Sequence, residues 1–184
     1  MKEARESSGR SVLLFGDEGT FYRQPTQAWL WHDMGRQQPR MRYSTRSNTR
    51  MRVVAFLNAA SGAVHSEDMS RVSADRLANQ VSNLSQWYPQ AERIYLVWDN
   101  WPNHAHPKVE ESLRRQERLR VLWLPTYAPW LNPIEKVWRW VRQRVTHTHP
   151  WSDDFFQFRQ EVREEFASLS QGSESLKSYV GLYT

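Results

Sequence analysis

Residues Ile94-Tyr95-Leu96-Val97-Trp98 are apolar throughout and stop at Asp99-Asn100. A strand whose successive side chains are all apolar is buried on both faces, as in a parallel pairing, and needs a sheet with helices on two sides. Val121 to Leu124 reads the same way, and the charged helical stretch Lys108 to Arg118 lies between the two, so the second half alternates strand and helix. The first half differs. Val12 to Tyr22 carries β-branched and aromatic residues and reads as a strand, and a short second strand is expected at Ala28 to His32. Arg52 to Asn58 and Ala63 to Glu67 flank the turn-prone Ala59-Ala60-Ser61-Gly62 as a hairpin. Ser73 is placed to cap a helix in which Leu77, Val81 and Leu84 recur at helical spacing, with Pro89 just past its end. Asn132 as N-cap, Pro133 at the first helical position and Glu135 three after the cap predict another helix. Its apolar stripe is Ile134, Val137, Trp138, Val141 and Val145. Ser152 is the expected cap of the last, which buries Phe155, Val162, Phe166 and Leu169.

An antiparallel meander leading into parallel strands is an α/β architecture: a central mixed five-stranded sheet flanked by helices, in the order of a ribonuclease-H-like fold. The 184 residues suit one domain. Residues 1–11 are expected to be a disordered polar leader and 12–184 the domain itself. The absence of cysteine excludes a disulfide framework, a thiolate nucleophile and a Cys-based zinc site, and is compatible with a reducing cytoplasm. No apolar run approaches the ~20 residues of a membrane helix, so no membrane partner is expected. Lys and Arg number 25 against 20 Asp and Glu, which brings polyanions into consideration.

Three acids adjoin the ends of core elements. Asp17 shares a pleat face with Leu13 and Phe15, while Glu18 points the other way, so one of that pair is expected at a given site. Asp99 ends the buried strand, at the carboxyl edge where open α/β sheets bind ligands. Glu135 shares a helix face with Arg139 and Arg142. Oxygen ligands from two or three carboxylates suit Mg²⁺, and two such ions about 3.5–4 Å apart can activate a hydroxyl and stabilise the leaving oxygen of a phosphodiester. Each acid also has a plain reading: a turn residue for Asp17 and Asp99, a helix-start residue for Glu135. The pairs His104/His106 and His147/His149 lack the spacing of a helical zinc motif. His104 instead contacts substrate or holds its loop. Six arginines (36, 40, 42, 46, 50 and 52) and no acid lie between Met34 and Ser66; Lys136, Arg139, Arg142 and Arg144 form a second acid-free group. Phosphate contact is the expectation, with Trp101 and Trp130 as base-stacking candidates.

Phe15-Gly16-Asp17-Glu18, Val97-Trp98-Asp99-Asn100-Trp101 with His104, and Leu124 to Pro129 leading into Asn132-Pro133-Ile134-Glu135-Lys136 resemble the three catalytic blocks of mariner-like insertion-sequence transposases. The resemblance runs from about Val12 to the Tyr179-Val180-Gly181-Leu182 tail, with 81 residues between the first two acids and 35 between the last two. It implies that Asp17, Asp99 and Glu135 are the metal ligands of a DDE catalytic core holding two Mg²⁺ ions, with Mn²⁺ able to substitute. It also implies that the chain cleaves DNA and transfers strands in a bacterial cytoplasm, on chromosomal or plasmid DNA, as a homodimer. The DNA contacts expected are Arg42, Arg46, Arg50, Asn100, His104, Lys136, Arg139 and Arg142. Such transposases carry helix-turn-helix domains ahead of the core; none fits before Val12, so that part is expected upstream or on another chain. The alternatives are a nuclease of the same fold without strand transfer, and a catalytically silent DNA-binding remnant.

Overall fold

The structure is a computed structural model and describes residues 10–29, 34–36, 38, 40–69, 71–126 and 128–182. Its five strands are β1 (Ser11–Tyr22), β2 (Arg50–Asn58), β3 (Val64–Met69), β4 (Arg93–Trp98) and β5 (Leu119–Trp123). They lie in the order β3-β2-β1-β4-β5, with β3, β2 and β1 antiparallel and β1, β4 and β5 parallel. This is the expected mixed sheet. Ser11 already belongs to β1, one residue before the expected start of the domain at Val12; residues 1–9, where the leader was expected, lie outside the described residues. The strand expected at Ala28 to His32 is not found at Ala28 and Trp29, which have no regular structure. Its remainder is outside the described residues. Thr26 instead makes an isolated parallel bridge with His147.

Helices cover both faces, as the continuous apolar run of β4 requires. Against one face pack α1 (Ala74–Trp87) and α2 (Pro107–Arg115), whose Leu77, Val81, Leu84 and Val109 meet Leu14, Val54, Phe56, Leu96 and Trp98. The other face carries Leu13, Phe15, Val53, Ala55 and Leu57, under α3 (Ile134–Val141), α4 (Phe155–Ser168) and α5 (Glu174–Val180). Val97 joins this second core while Ile94, Leu96 and Trp98 join the first, which is the two-sided burial read from the sequence.

Three local expectations change. β5 is not buried on both faces: it is the sheet's edge, and Leu122 and Trp123 stay nearly half exposed. Asn132 does not cap α3 with its side chain. Pro133 already has helical dihedrals, and the Asn132 amide turns into the protein instead. Ser152 is buried in a 3-10 turn (Trp151–Asp153), and the cap of α4 is Asp154, whose carboxylate accepts from the Gln157 amide. Val145 is buried as expected, but within a π-helical turn (Arg142–Thr146) that continues α3.

Candidate active site

β1 is twice as long as β4. Their parallel register ends with Phe15 beside Val97, after which β1 runs on to Tyr22 paired with β2 alone. Asp17 sits where the pairing with β4 stops, and Asp99 starts the loop leaving β4 at the same level. Glu135, in the first turn of α3, closes the group. Asp17, Asp99 and Glu135 line one cavity of about 320 Å³, together with Asn100, Trp101, Leu124, Pro125 and Ala128. The structure therefore brings together three carboxylates that the sequence separates widely.

Each acid is held differently. The indole N–H of Trp138, projecting from α3, donates to Asp17 Oδ2 at 2.9 Å, and the Glu18 amide donates to Oδ1 at 2.7 Å. Burial pushes the Asp17 carboxyl up to about 7; the Trp138 bond opposes this and the charges of Glu18 and Glu135 add to it. Burial also raises Glu135, against the pull of Arg142 and with the repulsion of Asp99. Asp99 is lowered, chiefly by its bond to His104.

His104 is fully buried. Its Nδ1 lies 2.8 Å from Asp99 Oδ1 and 3.0 Å from the Asp99 carbonyl oxygen, and its Nε2 lies 3.0 Å from Glu18 Oε1. The ring stacks on Trp98 with centroids 3.7 Å apart. Burial pulls its pKa down, but the bonds to Asp99 and Glu18 outweigh that and leave it at about 9. At neutral pH it is an imidazolium donating to both acids. It therefore holds the loop and is not placed to touch DNA. Glu18 does point to the opposite face from Asp17, yet through His104 it reaches the Asp99 loop, so both acids of the pair serve one site. The sequence signal for this was the histidine five residues after Asp99, which has no partner in sequence until the fold supplies Glu18.

Asn132 also joins distant segments. Its Nδ2 donates to the Gly16 carbonyl at 3.1 Å, tying the start of α3 to β1, and its buried Oδ1 has no hydrogen-bond partner. Arg142 donates to the Thr20 carbonyl, lies over the Phe21 ring at 5.5 Å and feels the charges of Glu135 and Asp17. Among the arginines and the lysine predicted to contact DNA, it is the one whose charge acts on Glu135 and Asp17. Asn100 donates to the Leu124 carbonyl. Lys136 is turned away, its Nζ donating to the Val180 carbonyl at the end of α5. Arg139 is exposed on α3 and Arg50 at the start of β2. Arg42 pairs with Asp153 at 3.3 Å, and the charge of Arg46 acts on the same carboxylate, so this loop is fastened to the turn before α4. His147 and His149 belong to the turn after α3, where burial lowers both pKa values. Sequence reasoning passed over Trp138, whose place on the apolar stripe concealed its polar tip, and gave Arg52 no individual role.

The donors suit a hard cation. All are carboxylate oxygens, and two have pKa values raised by burial, a charge imbalance that a divalent ion would offset. Among the described residues no group of three or more His, Asp or Glu side chains is gathered closely enough to hold a metal ion by itself.

The DDE superfamily endonuclease family model matches residues 12–155. The chain is 24% identical over 169 residues to the insertion element IS630 uncharacterized 39 kDa protein of Shigella sonnei, covering 92% of this chain and 48% of that protein. It is similar to the Mos1 transposase in its paired-end complex with left transposon end, with a TM-score of 0.69 and 19% identity over 98% of this chain and 54% of that one. The Mos1 mariner paired end complex with Mg gives a TM-score of 0.68 and 18% identity, covering 98% and 53%. The chain thus spans about half the length of these proteins. The structural likeness extends to the ribonuclease-H-like sheet and its helices.

Proposed function

The chain belongs to the DDE superfamily endonucleases, and from that membership we propose that it is the catalytic part of an insertion-sequence transposase. The convergence of Asp17, Asp99 and Glu135 on one cavity carries the reading. In the first reaction a water oxygen bonds to the phosphorus at the element's end and the P–O3′ bond breaks, leaving a 3′-hydroxyl and a 5′-phosphate. In the second that 3′-hydroxyl oxygen bonds to a target phosphorus, and the target's own 3′-oxygen leaves with a proton.

Asp17 and Asp99 are the residues to hold both Mg²⁺ ions, with Glu135 completing the second; Mn²⁺ suits the same oxygens. When bound, the metal lowers the pKa of the attacking water or hydroxyl and offsets charge on the leaving oxygen. The protein's part is to fix its acids beforehand. Trp138 orients Asp17, the His104 imidazolium orients Asp99 against Glu18, and Asn132 keeps the first turn of α3 beside β1. Arg142, beside Glu135 and Asp17, offers a guanidinium to the phosphate undergoing attack. Asn100, in the cavity of the three acids, would contact the DNA beside the cut, and Arg42, Arg46, Arg50 and Arg139 would contact it farther away. Double-stranded DNA, a homodimer and a helix-turn-helix part, on this polypeptide or another, complete the reading. It places the reaction on chromosomal or plasmid DNA in a bacterial cytoplasm. No helix among the described residues is long and apolar enough to cross a membrane.

The test uses duplexes carrying the DNA that flanks this reading frame, uncut and pre-cut, with Mg²⁺ or with excess chelator. The parent should nick the first and join the second to plasmid, and Asp99→Asn should abolish both while still binding DNA. Nicking without joining would make it a nuclease of the same fold. Binding with neither activity would make it a silent remnant, and full activity in chelator would remove the metal from the reaction.

A further inference from the structure

A second cavity, of about 300 Å³, opens from the same acids. Asp17, Asp99 and Trp101 border both cavities. Where the first continues to Glu135 and Pro125, the second continues to Glu18, Thr20 and Arg52. It lies along the part of β1 that has outrun β4, where Arg52 of β2 stands beside Thr20 in the antiparallel register.

Two features of this second cavity point to its occupant. Arg52 is half-buried and borders a cavity that also holds three carboxylates. Among the described residues its side chain makes no ion pair with any of them, and no hydrogen bond. A guanidinium presents planar paired donors that match phosphate oxygens. Trp101 is about one third exposed, and its carbonyl accepts from the His104 backbone N–H at 2.8 Å. Its backbone N–H donates to Asp99 Oδ1 at 3.1 Å, and its ring meets His104 nearly perpendicularly at 5.4 Å. An indole held at the rim of a cavity can take a nucleobase on its face with little regard to sequence. Trp130 differs: it is far more exposed, yet borders neither cavity.

We propose that this second cavity is a subsite for one unstacked nucleotide adjoining the reacting phosphodiester, with Arg52 on its phosphate and Trp101 on its base. The proposal rests on the reading of Asp17 and Asp99 as DNA-cleaving groups, since they fix where the neighbouring nucleotide must lie. A base can occupy the site only after leaving the duplex stack, so the enzyme should favour DNA whose strands are already separated next to the cut.

The probe is a short duplex ending in a three-nucleotide overhang, with 2-aminopurine placed in turn at each overhang position and Ca²⁺ in place of Mg²⁺ to hold cleavage back. Binding is followed by anisotropy and stacking by 2-aminopurine emission. With the parent, one position should be strongly quenched. Trp101→Ala should restore its emission to nearly that of free DNA, Trp101→Phe should keep part of the quench, and Trp130→Ala should change nothing. Arg52→Ala should weaken binding about tenfold. A methylphosphonate at the phosphate of the quenched nucleotide should weaken the parent equally and leave Arg52→Ala unaffected. Urea unfolding of each variant separates lost contacts from lost folding. Unchanged quenching in a folded Trp101→Ala, or additive losses with the methylphosphonate, would overturn the subsite while leaving cleavage of flanking DNA intact. A parent that quenches at one position but never cuts would instead overturn the transposase reading and keep the subsite.

Discussion

Replacing His104 by Phe isolates what the buried imidazole contributes beyond its volume. The phenyl ring preserves stacking on Trp98 but removes the donors to Asp99 and Glu18. The Glu18 side chain is only 14% exposed, so removing the imidazole leaves a largely buried carboxyl group without its partner, at a cost of about 3 kcal/mol. The Asp99 end is about half exposed, where water replaces the donor, and adds at most about 1 kcal/mol. The sum is about 3 to 4 kcal/mol. With a urea dependence of about 2 kcal/mol per molar, the unfolding midpoint should fall by about 1.5 to 2 M. His104→Gln, which retains an amide able to reach one acid, should fall between Phe and the parent. In a double-mutant cycle, His104→Phe combined with Glu18→Gln should lose at least about 1 kcal/mol less than the sum of the single changes. Additive losses, or a His104→Phe protein within about 0.5 kcal/mol of the parent, would refute the bridging role and leave the ring as packing only.

A Cβ on Gly19 would lie 2.8 Å from the Trp138 ring, so Gly19→Ala should cost about 1–3 kcal/mol by urea unfolding and reduce cleavage by displacing the indole from Asp17; a neutral variant would show that the ring has room to give. His65 stacks on Trp87 and shares a hydrogen bond with the Tyr88 hydroxyl, and burial lowers its pKa from 6.5. A lowered histidine contributes stability that is present above the unfolded value and lost as pH falls toward the folded one, so urea midpoints should decline below pH 6.5, less steeply in His65→Phe; equal slopes would contradict this. Arg46→Ala with Arg50→Ala should weaken binding to flanking and scrambled duplex alike and flatten the slope of log affinity against log salt by about 2, whereas a loss confined to one sequence would make these arginines readers of bases.

Where a single physical demand governs a segment, the sequence is transparent. Ile94 to Trp98 has to be covered on both sides, and it is; Val12 to Tyr22 and the hairpin around Ala59-Ala60-Ser61-Gly62 follow from alternation and turn chemistry. The acids were legible for a similar reason, since Asp99 ends a strand and Glu135 begins a helix. Errors arose where two demands compete for one residue. Asn132 is a good cap by type, but the buried Gly16 carbonyl claims its amide, and Pro133 enters the helix without it. Val121 to Leu124 is apolar enough for a central strand, yet the chain supplies no sixth strand beside it among the described residues. The Asp99, His104 and Glu18 arrangement joins residues 86 apart, and no local pattern encodes a bond at that separation.

The two cores divide the chain unequally in order of synthesis. Every member of the core under α1 and α2 lies between Val12 and Val121, so that side of the sheet is complete before α3 is made. The opposite face, with Leu13, Phe15, Val53, Ala55 and Leu57, waits for partners that emerge between Ile134 and Leu182. A ribosome delivers the amino-terminal part first. For an interval the nascent chain is half a protein, its sheet formed and one side still bare, a surface suited to chaperone capture or self-association. Trp138 reaches Asp17 only once α3 has been made, so the three carboxylates come into register after that helix emerges, and a chain interrupted after Asp99 has two of its acids and no working site.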